Sequence, residues 1–462
     1  MKSKRNIFKR IFDIWHLLIP VRKIQIIILF VLSIFSGVFE VISIGAIMPF
    51  IDILLDPRSV TKYLEILSFL NFSFLELNNY SEDEIKIFVT IIFIISIIAS
   101  AFLRFIMYYI NIKISYLTDY DLKNFTFEKI NHSSLNFRKK LNINETLSNF
   151  EKVQTIFKVL HSSLLIICHL IFSALIISSL FFIDPSIISI LGIFTLAYYT
   201  TVNLFTKRLI QTQSKKNAIS TDIKFRILNY SFNYFKNIIL NKIHKFYIRN
   251  FRIAIFDWAS SNIKTKWIPA LASNFFITLL FVFVAIIIFQ LSANNNFENH
   301  LSKIVAISFG AQKLITSLNQ IFANYQKILY LHNPLIDALN YIKKVKNSKK
   351  EKITKRKKIE LNDFRELGIK KINYKIDRKT IFKNISLTIK SKDKILIKGK
   401  TGTGKTSLVE IISGLNDNFN GDIFLNKRKV KKNELEKIRD YFSIVPQDIF
   451  IFEASILENI IN

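Results

Sequence analysis

The segment 397–414, I-K-G-K-T-G-T-G-K-T-S-L-V-E-I-I-S-G, concentrates glycine in a chain that is otherwise poor in it. The chain has 10 glycines in 462 residues, and one short window holds Gly399, Gly402, Gly404, Gly414 and Gly421. Residues 399–406 fit the spacing G-x-x-x-x-G-K-[ST] of a phosphate-binding loop. Main-chain N–H groups of such a loop, and the positive end of the helix that follows it, bind phosphate oxygens. The spacing therefore predicts a nucleoside triphosphate site.

The side chains of this loop have separate predicted roles. In loops of this type the lysine contacts the β- and γ-phosphates and the hydroxyl residue binds Mg²⁺, which assigns these roles to Lys405 and Thr406. A glycine-rich turn between a strand and a helix, without a ligand, is the alternative. The predicted nucleotide-contacting residues are Gly399, Lys400, Thr401, Gly402, Thr403, Gly404, Lys405, Thr406 and Ser407.

Gln447, in the segment I-V-P-Q-D, is a second candidate for the same site. A polar residue at the end of the next core strand reaches both Mg²⁺ and an attacking water, so Gln447 is predicted to bind metal and position water. An ordinary turn residue is the equally good alternative.

The elements around the loop predict a mixed α/β domain over 367–462. Segment 394–398 reads as a buried strand before the loop, and 405–413 reads as a helix after it. Other predicted strands are 367–376, 385–390, 421–426 and 441–447. The lysine-rich segment 331–366 precedes this domain and is interpreted as a basic, solvated linker.

The chain before this linker is apolar enough to cross a membrane repeatedly, since a span needs about 20 apolar residues. Alternate connections between the spans are rich in lysine and arginine, which predicts that both chain termini face the cytoplasm. The N-terminal residues 1–23 are predicted to form an amphipathic interfacial helix, rather than the basic start of a signal peptide. The six predicted spans are 24–50, 86–112, 161–183, 186–206, 267–291 and 301–329.

Composition limits the class of protein. Half of the residues are hydrophobic (50%) and the net charge is +31, a combination that is rare in soluble globular domains. Codon bias, a membrane surface or nucleic acid would each explain the charge, but six spans argue against nucleic acid. Cys168 is the single cysteine, which excludes an intrachain disulfide and a thiolate metal site.

Polar residues interrupt the sixth predicted span at helical spacing. They share one face of a helix, opposite an apolar face that contains Leu314 and Leu318. Two interpretations fit this face: a hydrophilic translocation surface, or hydrogen bonding between packed helices. The residues of this polar face are Lys313, Ser317, Gln320, Asn324 and Lys327.

Two ionisable residues lie in the first two spans. Glu40 is estimated to lie nearer the outer side and Arg104 nearer the inner side, so the sequence does not establish an ion pair between them. Arg104 either extends its charge to the inner interface or binds an anionic pyrophosphate group of a substrate.

Together these features resemble an ABC exporter in which the membrane and ATP-binding domains are fused. Among such exporters the sequence is most similar to bacterial flippases for lipid-linked oligosaccharides. The phosphate-binding loop and the V-P-Q segment carry the family resemblance most specifically. The stretches that carry the flippase resemblance are 39–57, 102–114, 227–251 and 311–335.

The resemblance implies the following architecture and function. An α-helical polytopic membrane domain with six transmembrane helices (24–330) precedes the N-terminal portion of an α/β P-loop NTPase domain (367–462), in a bacterial inner-membrane protein that uses ATP and Mg²⁺. The implied partner is a second copy or a related half-transporter, and the implied cargo is a lipid-linked glycan. A peptide, another lipid, or a catalytically incomplete nucleotide-binding protein are the alternatives.

The sequence departs from the family pattern in two respects. The family stacks adenine on an aromatic residue near the first strand of the ATP-binding domain, where register places Ile376 and where Tyr374 lies close enough to serve. In addition, residues 1–462 contain no L-S-G-G-Q signature, and no Walker B aspartate, catalytic glutamate or switch histidine in the family context. We therefore expect an incomplete ATP-binding domain and negligible ATP hydrolysis by these residues.

Overall fold

The computed structural model of the chain describes residues 7–56, 82–133, 143–292, 297–348, 364–376, 379–445 and 455–461, together with residues 59, 137, 138, 141, 451 and 453. These residues divide into two compact units. The first comprises 1–126 and 143–344, and the second comprises 127–142 and 345–462.

The first unit is helical throughout its described part. Three pairs of helices pack closely in it: α2 with α5, α5 with α6, and α6 with α8. The elements are α1 (Ile7–Leu17), α2 (Pro20–Gly45), α3 (Ile47–Leu55), α4 (Glu82–Asn131), α5 (Ile143–Ile183), α6 (Pro185–Asn233), α7 (Phe235–Leu240), α8 (His244–Ser292) and α9 (Phe297–Lys346).

Among the residues that the structure describes, four helical segments are long and apolar enough to cross a membrane: Pro20–Leu55, Asp83–Asn131, Thr146–Ile183 and Pro185–Asn233. They contain the first four predicted spans. The fifth and sixth predicted spans, 267–291 and 301–329, lie within α8 and α9, but neither helix meets the criterion over the described residues, so six spans are not confirmed. In α9 the polar face that includes Lys313 interrupts the apolar run, and part of the fifth span falls on side chains outside the described residues.

The turn between α5 and α6 shows how the sequence sets the ends of these helices. Asp184 has an extended backbone, and its Oδ1 accepts hydrogen bonds from the main-chain N–H groups of Ser186 (3.0 Å) and Ile187 (3.1 Å). Pro185 occupies the first position of α6, where its missing N–H has no intrahelical partner to lose. The D-P-S sequence therefore begins a new helix immediately after α5 ends.

The predicted linker 331–366 begins later than its lysine content suggested. Helix α9 continues to Lys346, and Leu335, Leu339 and Ile342 are buried along its last turns. The apolar residues interleaved with the lysines form a helical stripe that packs against the unit, which explains the extension. Residues 349–363 lie outside the described residues.

The second unit contains a four-stranded antiparallel sheet with strand order β2-β1-β3-β4. Its strands are β1 (Glu366–Ile376), β2 (Lys379–Lys390), β3 (Asn420–Leu425) and β4 (Arg428–Val430). The helices of the unit are α10 (Lys405–Ile412), α11 (Glu436–Arg439) and α12 (Ile456–Ile461).

A bulge in β1 sets the core of this unit. Leu367 and Ile369 face the core at the two-residue period of a strand, and the register then shifts so that Ile372 and Tyr374 also face it. Gly421 of β3 has a φ of +122°, and a Cβ atom there would lie 2.6 Å from the Lys371 carbonyl oxygen. Only glycine fits beside the bulge, which keeps all four β1 residues on one face.

Two predicted strands are wrong. Residues 394–398 are extended but form no strand with any described residue, and Leu396 is 75% exposed. Residues 441–445 likewise form no strand, and Val445 is 83% exposed, while 446 and 447 lie outside the described residues. A strand needs a neighbour for its main-chain N–H and C=O groups, and no described segment pairs with either stretch.

Candidate functional site

The loop 399–406 connects the extended segment 394–398 to helix α10, and its conformation depends on glycine. Gly404 is the N-cap of α10 and has a left-handed backbone, with φ of +92°. A Cβ atom at Gly404 would lie 2.4 Å from Ile381 Cγ2 and 3.2 Å from Phe382 Cδ1. Strand β2 therefore packs directly against the loop, and any larger residue would push the two apart.

Lys405 fixes the curvature of the same loop. Its ammonium Nζ donates hydrogen bonds to the main-chain oxygens of Gly399 (2.7 Å) and Lys400 (2.9 Å). The hydroxyl of Thr403 also donates to the Lys400 oxygen, at 2.8 Å. These bonds turn the loop carbonyls inward onto Lys405 and place its charge inside the curve, at the start of α10. Oxyanions bind at this kind of position, because the ammonium and the N-terminal end of the helix act together.

The predicted metal residue Thr406 and its neighbour Ser407 lie in the first turn of α10, and Thr406 is exposed. The loop and these hydroxyl groups fit a nucleotide phosphate with Mg²⁺. The loop has a conformation that requires glycine at position 404, and the hydroxyl groups of Thr406 and Ser407 follow it directly in the first turn of α10. Gln447 lies outside the described residues, so its proposed role stays a prediction.

Tyr374 does not lie at the surface of the loop. It is 5% exposed, its ring lies against Phe382 with 5.5 Å between centroids, and its hydroxyl accepts a hydrogen bond from Asn416 Nδ2 at 3.1 Å. Asn416 is itself fully buried after the end of α10. Tyr374 therefore joins the sheet to α10, and this burial argues against the prediction that it stacks on adenine. Ile376 ends β1.

Glu458 has a structural role in α12. Ser455 donates to the Glu458 carboxylate through its main-chain N–H and its hydroxyl, both at 2.9 Å, and Glu458 N–H donates back to the Ser455 hydroxyl at 3.2 Å. This is a capping box, and the hydrogen bonds from Ser455 lower the pKa of Glu458. The lowered pKa makes this carboxylate a weaker base than an ordinary glutamate.

The structure brings Glu40, Arg104 and Lys313 together in one cluster, which we call the Glu40 cluster. The Arg104 guanidinium and the Ser100 hydroxyl both donate to Glu40 Oε2, and Lys313 Nζ lies 3.2 Å from Glu40 Oε1. Lys313 also donates to Ser43 at 2.6 Å. Three helices, α2, α4 and α9, therefore meet at one carboxylate that neutralises only one of two cations.

The remaining residues of the predicted polar face have different surroundings. Ser317 is buried, with its hydroxyl 3.4 Å from His169 Nδ1, whereas Asn324 is buried and donates to the Gln320 main-chain oxygen at 2.8 Å. Gln320 itself is exposed. Lys313 and Ser317 thus contact other helices, which favours packing for this part of the face.

Sequence reasoning missed two features. Ile381 and Phe382 support the phosphate-binding loop, although no motif marked them. Lys152 is buried and bridges the carboxylates of Asp222 and Asp337, each at 2.7 Å, joining α5, α6 and α9. Lys152 lies ahead of the third predicted span, 161–183, where no sequence signal marked it, and its partners Asp222 and Asp337 lie far away in the chain.

The loop has left-handed backbone at Gly402 and Gly404, and Lys405, at the start of α10, donates a hydrogen bond back to the Gly399 main-chain oxygen. A glycine-rich loop of this sequence before a helix is typical of P-loop nucleotide-binding proteins. The sequence profile described as ABC transporter matches residues 382–461, which include this loop. Residues 382–461 are therefore similar to the ABC transporter family, and the described part of the chain also has four helices long and apolar enough to cross a membrane.

Curated relatives extend this conclusion. The chain is 24% identical over 390 residues to the SPbeta prophage-derived sublancin-168-processing and transport ATP-binding protein SunT of Bacillus subtilis, covering 82% of the chain and 53% of the relative. It is 39% identical over 80 residues to the mitochondrial iron-sulfur clusters transporter ATM1 of Debaryomyces hansenii, covering 17% of the chain and 12% of the relative. The chain is thus homologous to ABC exporters, and it spans about half the length of the Bacillus protein.

Proposed function

We propose that the chain is a subunit of an ATP-driven exporter or flippase that moves a lipid-linked or amphipathic substrate across a bacterial inner membrane. The observation that carries this proposal is the loop 399–406, curved around Lys405 at the start of α10, in a chain with membrane-length apolar helices. The similarity to a transport ATP-binding protein over 82% of the chain supports it.

Each part of the loop has a role in this proposal. The main-chain N–H groups of 399–405 hold the β-phosphate. When the nucleotide binds, the Lys405 ammonium gives up its hydrogen bonds to the carbonyl oxygens of Gly399 and Lys400 and contacts the β- and γ-phosphates instead. Thr406 supplies a hydroxyl ligand for Mg²⁺, which neutralises phosphate charge when bound. A second copy of the chain, or a related half-transporter, is the proposed partner.

We propose a lipid-linked oligosaccharide as the cargo. The support is the resemblance of 39–57 and 311–335 to flippases, and the Glu40 cluster, in which the side chain of Arg104 is 42% exposed. Two cations around one carboxylate leave an excess positive charge, which suits the pyrophosphate of a lipid-linked glycan. A peptide or another lipid is the second candidate cargo, and the Bacillus relative, named for processing and transport of sublancin-168, favours keeping it.

Equilibrium binding tests the nucleotide site. The full chain in lipid nanodiscs should bind a fluorescent, non-hydrolysable ATP analogue with Mg²⁺, and Lys405→Ala should weaken that binding about ten- to a hundredfold, because a charge-assisted contact is lost. Lys394→Ala is the matched control, since Lys394 is exposed ahead of the loop. Equal affinity of wild type and Lys405→Ala would contradict the proposal.

A second binding experiment tests the cargo. A labelled lipid-linked oligosaccharide with a pyrophosphate linkage should bind the reconstituted chain, and Arg104→Gln should weaken binding, whereas Lys86→Gln should not. Lys86 pairs only with exposed Asp83 at 3.7 Å and serves as the control cation. Binding of a labelled peptide in place of the glycolipid would transfer the proposal to the second candidate.

A further inference from the structure

A cavity of about 760 Å³ lies in the helical unit among α5, α6, α8 and α9. Each of these helices turns one face toward it, with lining residues three or four positions apart, as in Asn217, Thr221 and Lys224 of α6. Five lysines line the cavity, two from α5 and one from each of the other three helices. Four of them are called here the cavity lysines: Lys158, Lys224, Lys266 and Lys327.

The cavity lysines differ from a fifth lysine in the same wall. Lys152 also lines the cavity, but Asp222 and Asp337 neutralise it at 2.7 Å each. Across the part of the chain that the structure describes, none of the cavity lysines forms an ion pair with a carboxylate. Glu151 also lines the cavity, and its charge and that of Asp119 act on Lys158. Cations still outnumber carboxylates along the wall, because Glu151 is the one carboxylate among the described lining residues.

The contacts that the cavity lysines make do not compensate their charge fully. Lys158 Nζ lies 3.3 Å from Gln154 Oε1, and Lys224 Nζ lies 5.8 Å from the Trp258 ring centroid. Lys158 and Lys266 are also close enough to Lys327 for their charges to repel its ammonium. Bringing like charges together in a half-enclosed space is costly, and a bound anion removes that cost.

The chemistry of the wall selects the kind of anion. Lysine ammonium groups are compact charges with three donors each, and they bind phosphate oxygens without a fixed geometry. Four of them converging from four helices suit a ligand with several negative oxygens. Trp258, Pro269 and Ala270 add apolar surface, which fits a group attached to the phosphate.

We propose that this cavity binds a phosphate-bearing anion, either a free polyphosphate or the head group of an anionic lipid. The site is separate from the loop 399–406 and from the Glu40 cluster, and it stands whether or not the chain binds ATP. A ligand at the cavity lysines is predicted neither by the family match nor by the Glu40 cluster.

Site-resolved lysine acetylation tests the proposal. The full chain in zwitterionic nanodiscs is treated with an amine-reactive acetylating reagent, at constant ionic strength, with and without inorganic pyrophosphate, and each lysine is quantified by mass spectrometry. Acetylation of the cavity lysines should fall with pyrophosphate concentration, whereas Lys236 and Lys245, which are exposed and outside the cavity, should be unchanged. Because each lysine is read separately, binding of pyrophosphate near Lys405 does not affect the result.

A second arm identifies the source of the phosphate. Protection in nanodiscs that contain an anionic phospholipid, without pyrophosphate, assigns the site to a lipid head group, whereas protection by pyrophosphate alone assigns it to a free anion. The double variant Lys266→Gln, Lys327→Gln should raise the Kd read from protection of Lys158 and Lys224 about tenfold or more, and Lys236→Gln, Lys245→Gln should not. Equal acetylation of the wild-type cavity lysines in all conditions would overturn the proposal, and it would leave the ATP-binding test unaffected.

Discussion

Glu40 is a buried carboxylate on which two cations and a hydroxyl group converge in the described helical unit. Its side chain is 6% exposed and receives the Arg104 guanidinium, the Lys313 ammonium and the Ser100 hydroxyl. A buried carboxylate is tolerated only when it is paired and hydrogen-bonded, and the same carboxylate keeps two cations stable in an apolar span. The position therefore joins α2, α4 and α9 as well as shaping a candidate cargo site.

Removing this carboxylate should destabilise the chain strongly. We expect Glu40→Gln to cost about 3–5 kcal/mol, because Arg104 and Lys313 would be left without a counter-charge. Thermal unfolding of the detergent-solubilised full chain measures this as a fall in midpoint temperature. Asp83→Asn is the control, since Asp83 is 89% exposed in its pair with Lys86 and should have little effect. Similar midpoints for both variants would contradict the structural role of the Glu40 cluster.

The sequence predicted some of these residues and not others, for reasons of distance along the chain. The loop 399–406 was predictable because its glycines, Lys405 and the helix start are all local, and spacing alone defines their geometry. Arg104 and Glu40 are 64 positions apart, and the register between α2 and α4 depends on packing that a span-by-span estimate of depth does not contain. Tyr374 illustrates a third case, since burial by Phe382 and Asn416 decides whether an aromatic ring is available to a ligand.

At the scale of elements, the turn at Asp184 decides where α6 begins. We expect Asp184→Ala to destabilise the full chain by about 0.5–2 kcal/mol, because two main-chain N–H groups lose their acceptor. Asp184→Asn keeps an acceptor oxygen and should cost much less. The thermal midpoints of the three proteins in detergent check this, and an equal loss in both variants would show that the charge of Asp184 matters rather than its cap.

Helices were easier to predict than strands in this chain. A helix satisfies its own backbone, so long apolar stretches with helical spacing identified the segments of α2, α4, α5 and α6 correctly. A strand depends on a partner, and the apolar run in 394–398 does not reveal whether one is present. The bulge at Lys371 was also not predictable from the local sequence. The alternation of buried residues in β1 shifts there because Gly421 of the neighbouring strand approaches the Lys371 carbonyl closely.

At the scale of the whole molecule, the loop charges predict which side of the membrane each connection faces. Ser186→Cys, in the first turn of α6, should react with an impermeant thiol reagent in intact cells, and Asn241→Cys, after α7, only after permeabilisation. Both positions are exposed, and the native Cys168 is fully buried, which keeps the background low. Ser214 would be a poor reporter, since it is buried and accepts hydrogen bonds from Asn333 at 3.1 Å. Equal labelling of the two cysteines would reject the predicted orientation.

In the proposed function, the first unit carries the membrane-spanning helices and the second carries the nucleotide site. At the nucleotide site, binding and hydrolysis need different residues. We propose that the loop around Lys405 is enough to bind phosphate, whereas hydrolysis also needs a base and a signature motif, and residues 1–462 contain neither in the family context. Glu458, one of the few carboxylates after Gln447, is occupied as the cap of α12.

We therefore expect a polypeptide of residues 1–462 to bind nucleotide and to turn it over at a negligible rate in a phosphate-release assay. Supplying residues with the L-S-G-G-Q signature and the Walker B pair in the same chain should produce turnover. The Walker B pair would then position the attacking water, and the signature motif would add a second contact to the nucleotide phosphates. Lys405→Ala should abolish that turnover, while Lys394→Ala should leave it unchanged. Robust hydrolysis by residues 1–462 alone, removed by Lys405→Ala, would contradict this expectation and would require a general base that no family motif identifies.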